Sequence, residues 1–147
     1  MEAVVTWSPL QVIERLAKAS SEHDLDAIVG CFAPDYVNET PAHPLRGFRG
    51  REQVRRNWAQ ILAGVPDLQA RVVAVATDGD TVWSEWLMSG TRRDGVAHEM
   101  RGVNIFQVTD GLIQAARFYL ELVERDSGSV DDVVRTVTQT HASGSGA

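Results

Sequence analysis

The dipeptide Asp-Gly occurs three times at a spacing of 16 residues, at Asp78-Gly79, Asp94-Gly95 and Asp110-Gly111. Flanked by alternating apolar residues, Asp-Gly is a strong short-range signal for a β-hairpin. The flanks alternate from Leu68 to Val123, so four strands joined by three tight turns form a meander. Side chains on a strand have a period of two, and the turn type therefore decides which parity shares a face. With Asp-Gly as the centre of a two-residue type I′ turn, the commonest form, Thr77 pairs with Asp80 and odd positions face even ones. With three-residue loops (Thr77-Asp78-Gly79, Arg93-Asp94-Gly95, Thr109-Asp110-Gly111) and a left-handed Gly in a G1 bulge, even pairs with even.

The even positions read Leu68, Ala70, Val72, Ala74; Val82, Ser84, Trp86, Met88; Met100, Gly102, Asn104, Phe106; and Ala116, Phe118, Leu120. The odd ones carry Gln69, Arg71, Glu85, Glu99, Arg101, Gln107, Arg117 and Glu121. One apolar parity on all four strands selects the three-residue loops. The expected cross-strand layers are Val72-Ser84-Asn104-Ala116, Ala70-Trp86-Gly102-Phe118 and Leu68-Met88-Met100-Leu120, with Trp86 and Phe118 as neighbours. Trp83, Leu87, Val103 and Tyr119 sit among the charges of the odd face, as on a surface that a second subunit covers. A homodimer through that face is expected, unless a C-terminal helix folds back over it. Glu85, diagonal to Arg101, reads as an ion-pair partner.

Helices precede the meander. Ser8-Pro9-Leu10-Gln11 is a capping box with proline at the first helical position, followed by the stripe Leu10, Ile13, Leu16, Ala17, Ser20. Asp24 is the N-cap of a short second helix with Leu25, Ile28, Val29 and Phe32 inward, stopped by Pro34. Residues 35 to 50 read as extended pieces and a loop, because Pro41 and Pro44 forbid regular helix. A third helix runs from about Arg51 to Ala63 with Val54, Trp58, Ile61 and Leu62 on one face, and Gly64-Val65-Pro66 stops it. The fold class is α+β: three N-terminal helices in the concave face of a strongly curved, mainly antiparallel sheet, a cone. The main domain is placed at residues 1–128, a C-terminal helix at 129–140 with Val130, Val133, Val134 and Val137 aligned, and a flexible tail at 141–147.

A chain of 147 residues is one domain by length. Its net charge of −6, with no basic run longer than the pairs Arg55-Arg56 and Arg92-Arg93, argues against nucleic acid as a partner. Glu2 stands where a signal peptide has a basic residue, and the longest interior apolar stretch, Val72 to Ala76, is too short to span a bilayer. No membrane association and a cytoplasmic location are expected. The one cysteine, Cys31, forms no disulfide within the chain and reads as a small core residue. The four histidines show no metal spacing, and no Gly-rich phosphate loop is present, so neither metal nor cofactor is expected.

Phe32-Ala33-Pro34-Asp35-Tyr36-Val37, Phe48-Arg49-Gly50, Pro66-Asp67-Leu68, Asp110-Gly111-Leu112-Ile113 and Arg117-Phe118-Tyr119 resemble the SnoaL-like proteins of the nuclear transport factor 2-like superfamily, over residues 8 to 123. The resemblance implies the cone, with catalytic groups projecting into it. Limonene epoxide hydrolase holds an Asp-Arg-Asp set where Met88, Trp86 and Phe118 stand here, and its water-holding Tyr and Asn match Tyr36 and Asn38. The aspartate of SnoaL-like cyclases, within an Arg-Asp-aromatic sequence, is replaced by Phe118. The base of ketosteroid isomerase precedes a proline; Thr40 precedes Pro41 here, with Glu39 one place off. Its oxyanion-hole aspartate falls near Gly102, and the first helix has no tyrosine.

The expected catalytic residues are Tyr36 and Asn38, orienting a water or carbonyl oxygen, and His43 in Pro41-Ala42-His43-Pro44 at the mouth, an imidazole able to move a proton near neutral pH. Trp58, Ser84, Trp86, Met88, His98, Met100, Asn104, Phe118 and Leu120 are the expected substrate-binding residues, a mostly apolar wall with few polar groups. Asn104 either pairs with Ser84 or a buried water, or contacts the ligand. His23 and His141 read as surface residues. The expected function is isomerisation, cyclisation, dehydration or hydration of a small hydrophobic molecule without a cofactor; the alternative is a non-catalytic binding or carrier protein.

Overall fold

A computed structural model describes residues 6–139. The tail at 141–147, together with Glu2 and His141, lies outside the described residues. Ser8 caps helix α1 (Pro9–Glu22) through the reciprocal capping box with Gln11, and Pro9 occupies the first turn. Its buried face is Val12, Ile13, Leu16, Ala19 and Ser20, rotated slightly from the expected stripe, so that Leu10 and Ala17 are only half-buried. His23 closes the helix in the left-handed conformation (φ 59°). It is not a free surface residue, because its Nε2 hydrogen-bonds the carbonyl of Leu68 at 2.9 Å. The Ser21 hydroxyl donates to the Ala70 carbonyl and accepts from the Ala70 N–H, each at 2.9 Å. These contacts pin the end of α1 to the edge of the sheet.

Asp24 caps helix α2 (Leu25–Gly30), which ends two residues before Phe32. Strand β1 (Phe32–Glu39) starts there and contains Pro34, the expected helix stop. Pairing of β1 with its parallel neighbour breaks between Phe32 and Val37, so Pro34 removes no ladder bond. Strand β2 (Phe48–Arg49), helix α3 (Arg51–Gly64), and strands β3 (Gln69–Asp78), β4 (Thr81–Thr91), β5 (Ala97–Thr109) and β6 (Leu112–Leu122) follow. The sheet order is β2-β1-β6-β5-β4-β3, antiparallel except for β1 on β6. It is curved and not closed, with α1, α2 and α3 against its concave side. Helix α4 (Val130–Thr138) stands apart, with Val130, Val133, Val134 and Val137 all exposed.

The even face is the concave face, but only one of the three turns has the expected form. Between β4 and β5 the loop is Arg93-Asp94-Gly95 with Gly95 at φ 85°, and Ser84–Asn104, Trp86–Gly102 and Met88–Met100 pair as expected. The β3–β4 turn has two residues, Gly79-Asp80, and near it odd pairs with even: Val75 with Ser84, Thr77 with Val82. The β5–β6 turn also has two, Asp110-Gly111, both at positive φ (54° and 75°) as a type I′ turn requires. A bulge then corrects each hairpin, between Val72 and Ala74 in the first and beside Gln107 in the second. A two-residue turn plus a bulge restores the parity of a three-residue loop and displaces the register by two. Val72 therefore pairs with Trp86 rather than Ser84, and Phe118 with Asn104 rather than Gly102.

Trp86 and Phe118 are consequently not direct neighbours. Each packs edge-on against Phe106, at centroid distances of 6.3 and 6.0 Å. On the outer face Glu85 stands opposite Val103, and Arg101 pairs with Glu99 at 3.3 Å rather than with Glu85. Cys31 is fully buried, and burial pushes its thiol up, which makes it inert core.

Gly102 lies in the middle of the longest strand at φ 154°. A Cβ there would stand 2.2 Å from the Tyr119 carbonyl oxygen and 2.8 Å from the Leu120 Cα. Both are backbone atoms, so only the strand pair itself could yield. Gly102→Ala should lower stability by roughly 2–5 kcal/mol in urea unfolding. Gly79→Ala, at φ 58° with nothing within 4 Å of its Cβ, should lower it by only about 1 kcal/mol.

Candidate functional site

Helix α3 crosses the concave face without sealing it. Val54, near its start, is buried, whereas Trp58 is half-buried and Ile61 is 37% exposed. The space between these side chains and the sheet is a cavity of about 370 Å³. Met88, Met100, Phe118 and Leu120 line it from the strands, Trp58 and Ile61 from the helix, and Phe32 and Phe48 from its closed side.

Half of its polar groups come from β1 and the residue that follows it, where Tyr36, Asn38 and Thr40 alternate onto the concave side. The Tyr36 hydroxyl donates to Asn38 Oδ1 at 2.8 Å, and Asn38 Nδ2 donates more weakly to Thr40 Oγ1 at 3.4 Å. Tyr36 and Asn38 are 1% and 5% exposed. Burial pushes the Tyr36 phenol well above the ordinary tyrosine range, so it stays neutral and a donor. Phe32 and Phe48 clamp its ring edge-on, at centroid distances of 4.8 and 6.0 Å. Arg46, Asn57 and His98 complete the polar part of the lining.

Tyr36, Asn38, Trp58, Met88, His98, Met100, Phe118 and Leu120 thus meet around one cavity, as expected from the sequence. Ser84, Trp86 and Asn104 do not line it and are buried behind its wall. There they form a core fastening: Trp86 Nε1 donates to Ser84 Oγ at 2.8 Å, and Ser84 Oγ donates to the backbone carbonyl of Asn104 at 2.7 Å. Ser84 therefore binds the main chain of Asn104, not its amide, and Asn104 Oδ1 has no partner among the described residues. His43 stands outside the lining; its Nε2 lies 2.9 Å from Glu121 Oε1 on β6.

Phe32, Thr40, Arg46, Phe48, Val54, Asn57 and Ile61 were not among the residues expected to line the site. Thr40 carried a usable signal, the two-residue alternation it continues from Tyr36 and Asn38. Ile61 shares the helix face of Trp58 at a spacing of three, and Asn57 lies one turn before Ile61 at a spacing of four. Arg46 carried none, because it follows Pro44 in a short 3₁₀ turn with no periodicity to read. Among the described residues no group of three or more His, Cys, Asp or Glu side chains could hold a metal ion, and no helix is long and apolar enough to cross a membrane.

The chain resembles solved structures of the same architecture. IdmH from Streptomyces antibioticus, a proposed polyketide cyclase, is 27% identical with a TM-score of 0.67, over 78% of this chain and 93% of that one. RV0760c from Mycobacterium tuberculosis, in complex with estradiol-17beta-hemisuccinate, is 21% identical with a TM-score of 0.66, over 85% and 97% of the two chains. An epoxide hydrolase from M. tuberculosis, similar to limonene epoxide hydrolase, is 19% identical with a TM-score of 0.68, over 90% and 96%. Among curated proteins none matches. The SnoaL-like domain model matches residues 13–116, from within α1 to the middle of β6, and the chain belongs to that family.

Proposed function

We propose that the protein takes a small, largely hydrophobic molecule into the cone and rearranges it by proton transfer, as an isomerisation, cyclisation, dehydration or hydration. The buried Tyr36-Asn38-Thr40 ladder in an otherwise apolar cavity carries this reading. Because Tyr36 donates to Asn38 Oδ1, the Asn38 amide is turned so that Nδ2 donates. One of its hydrogens goes to Thr40 Oγ1, and the other is free. The Thr40 hydroxyl, accepting from Asn38, keeps its own hydrogen to give. The remaining Asn38 donor, buried beside Tyr36, suits a carbonyl oxygen or a water, and stabilises charge that develops there.

His98 is the imidazole in the lining and takes the proton-moving role in this proposal. Phe106 shares a cross-strand row with Asn38, and His98 lies eight residues before Phe106 on the same strand, so the two stand toward different ends of the lining. It therefore serves a different part of the substrate from the atom held by Asn38. His43, engaged with Glu121 outside the cavity, takes no part in this proposal. The likeness to IdmH supports a cyclisation among the four reactions.

A second reading, a carrier without chemistry, is favoured by one observation: among the described residues no carboxylate lines the cavity. Met88 and Phe118 line the cavity at positions that the resemblance to limonene epoxide hydrolase matches to its acids.

We also propose a homodimer through the outer face of the sheet. Trp83 and Tyr119 are 48% and 41% exposed there, and α4, with its valines in solvent, does not cover them. A two-fold interface on the order of 800 Å² per subunit would bury this patch and leave both cavities open.

Incubation with terpenes, steroids and aromatic polyketides, read by liquid chromatography with mass spectrometry, should yield a rearranged product. Asn38→Ala should slow its formation roughly hundred- to thousandfold. Ligand recovered unaltered would establish the carrier reading instead. Because the folded Tyr36 pKa lies above the unfolded value of about 10, the stability it contributes is whole below that pH and is lost as pH rises, at up to ~1.4 kcal/mol per unit. Tyr36→Phe should decline less steeply above about pH 10 in urea unfolding, while losing about 1–3 kcal/mol at neutral pH by orphaning Asn38 Oδ1. Sedimentation should give a dimer that Trp83→Glu shifts to the 16.1 kDa monomer; a wild-type monomer at all concentrations would refute the interface.

A further inference from the structure

The chain carries 20 acidic residues against 14 basic, yet among the described residues no Asp or Glu lines the cavity. The one fixed charge in the lining is the Arg46 guanidinium. Among the described residues no carboxylate lies within ion-pair distance of it, whereas Arg55, Arg92, Arg101, Arg125 and Arg135 each have one. A protein with a net charge of −6 thus presents a positive lining to whatever enters.

The backbone places that charge beside the polar ladder. Asn38 of β1 pairs with Phe48 of β2, and the loop between them returns on itself. Thr40 follows Asn38 by two residues and Arg46 precedes Phe48 by two, so the pair stands at the base of this loop, and both line the cavity. The loop is held at both sides: Arg46 N–H donates to the His43 carbonyl at 2.9 Å, and His43 is bonded to Glu121. Arg46 is therefore positioned by a braced turn, although its side chain reaches solvent.

We propose that the cavity takes an amphipathic monoanion: a flat, mostly apolar molecule bearing one carboxylate, with the acid group between Arg46 and Thr40 and the apolar body against Trp58, Met100 and Phe118. The proposal rests on the reading of the cavity as a small-molecule site and adds the charge class of the molecule. A guanidinium presents two parallel N–H groups that match the two oxygens of a carboxylate, and the Thr40 hydroxyl supplies a further donor. One fixed positive charge suits a single negative charge better than a phosphate dianion, which draws several cations or a helix N-terminus. The acid group then faces water and the apolar body faces the closed end.

The test compares 1-pyrenebutyric acid with 1-pyrenebutanol, alike in size and fluorescence and different in charge, titrated into the full-length protein. At low salt the acid should bind roughly three- to tenfold tighter than the alcohol, an advantage that shrinks at about 1 M salt. Arg46→Gln should remove the advantage and leave the alcohol's affinity unchanged; Arg46→Lys should keep part of it. Since the Arg46 side chain is exposed and makes no hydrogen bond or ion pair among the described residues, thermal unfolding of both variants should match the wild type. Equal binding of acid and alcohol to the wild type, or an acid preference that survives in Arg46→Gln, would overturn the proposal and leave the small-molecule reading standing. Failure of both probes to bind would overturn the two together.

Discussion

At Gly102 the backbone of β6 comes so close to β5 that the Tyr119 carbonyl oxygen occupies the space of a side chain. A strand interior gives up packing to carry glycine, and the return here is the close approach of two backbones in the middle of a 13-residue strand. Gly90, on the neighbouring strand and the same face, plays a matching part. Val65 Cγ1 lies 2.5 Å and Asp67 Oδ1 2.9 Å from where its Cβ would be, which lets the chain leaving α3 settle on β4. The sheet wraps and the helix is anchored at its end, and the unfilled volume between them is the cavity. The same constraint bears on chemistry. The resemblance to ketosteroid isomerase sets that enzyme's oxyanion-hole acid near Gly102, where a side chain does not fit.

Two sets of polar side chains point to the concave side, and packing gives them different tasks. Ser84, Trp86 and the Asn104 backbone bond to one another behind the wall, satisfying groups that would each cost about 1–3 kcal/mol if buried unpaired. Tyr36, Asn38 and Thr40 bond along a single strand and retain free donors toward the cavity. Aromatic rings separate the sets: Phe106 packs against both Trp86 and Phe118, and Phe118 closes the floor of the site. The polar end of the cavity is thus built largely by β1 and the loop to β2, the part of the sheet outside the meander.

Several features were legible because they are local or periodic. The capping box of α1 and the Asp24 cap of α2 involve residues three apart, and the concave face follows from the parity of the four meander strands. The resemblance to SnoaL-like proteins rested on short motifs, and Tyr36 and Asn38 were found through it. Thr40 was missed because Pro41 and Pro44 made residues 35 to 50 read only as extended pieces and a loop, and Pro34 read as a helix stop, although the sheet absorbs Pro34 where pairing with β6 is already broken.

Sequence alone determined the helices, the four meander strands, the side most of each strand turns to the core, and the family, because those depend on propensity, caps and a period of two. It could not distinguish a three-residue loop from a two-residue turn followed by a bulge, since both preserve parity. Only the tertiary structure set the offset of two that moves Phe118 from Gly102 to Asn104 and puts Phe106 between Phe118 and Trp86. It also decided which even-numbered residues face the cavity and which are buried behind it, and it brought Arg46 beside Thr40. Those outcomes depend on where long-range packing inserts an extra residue and how far a helix stands from a curved sheet, and no local pattern encodes either.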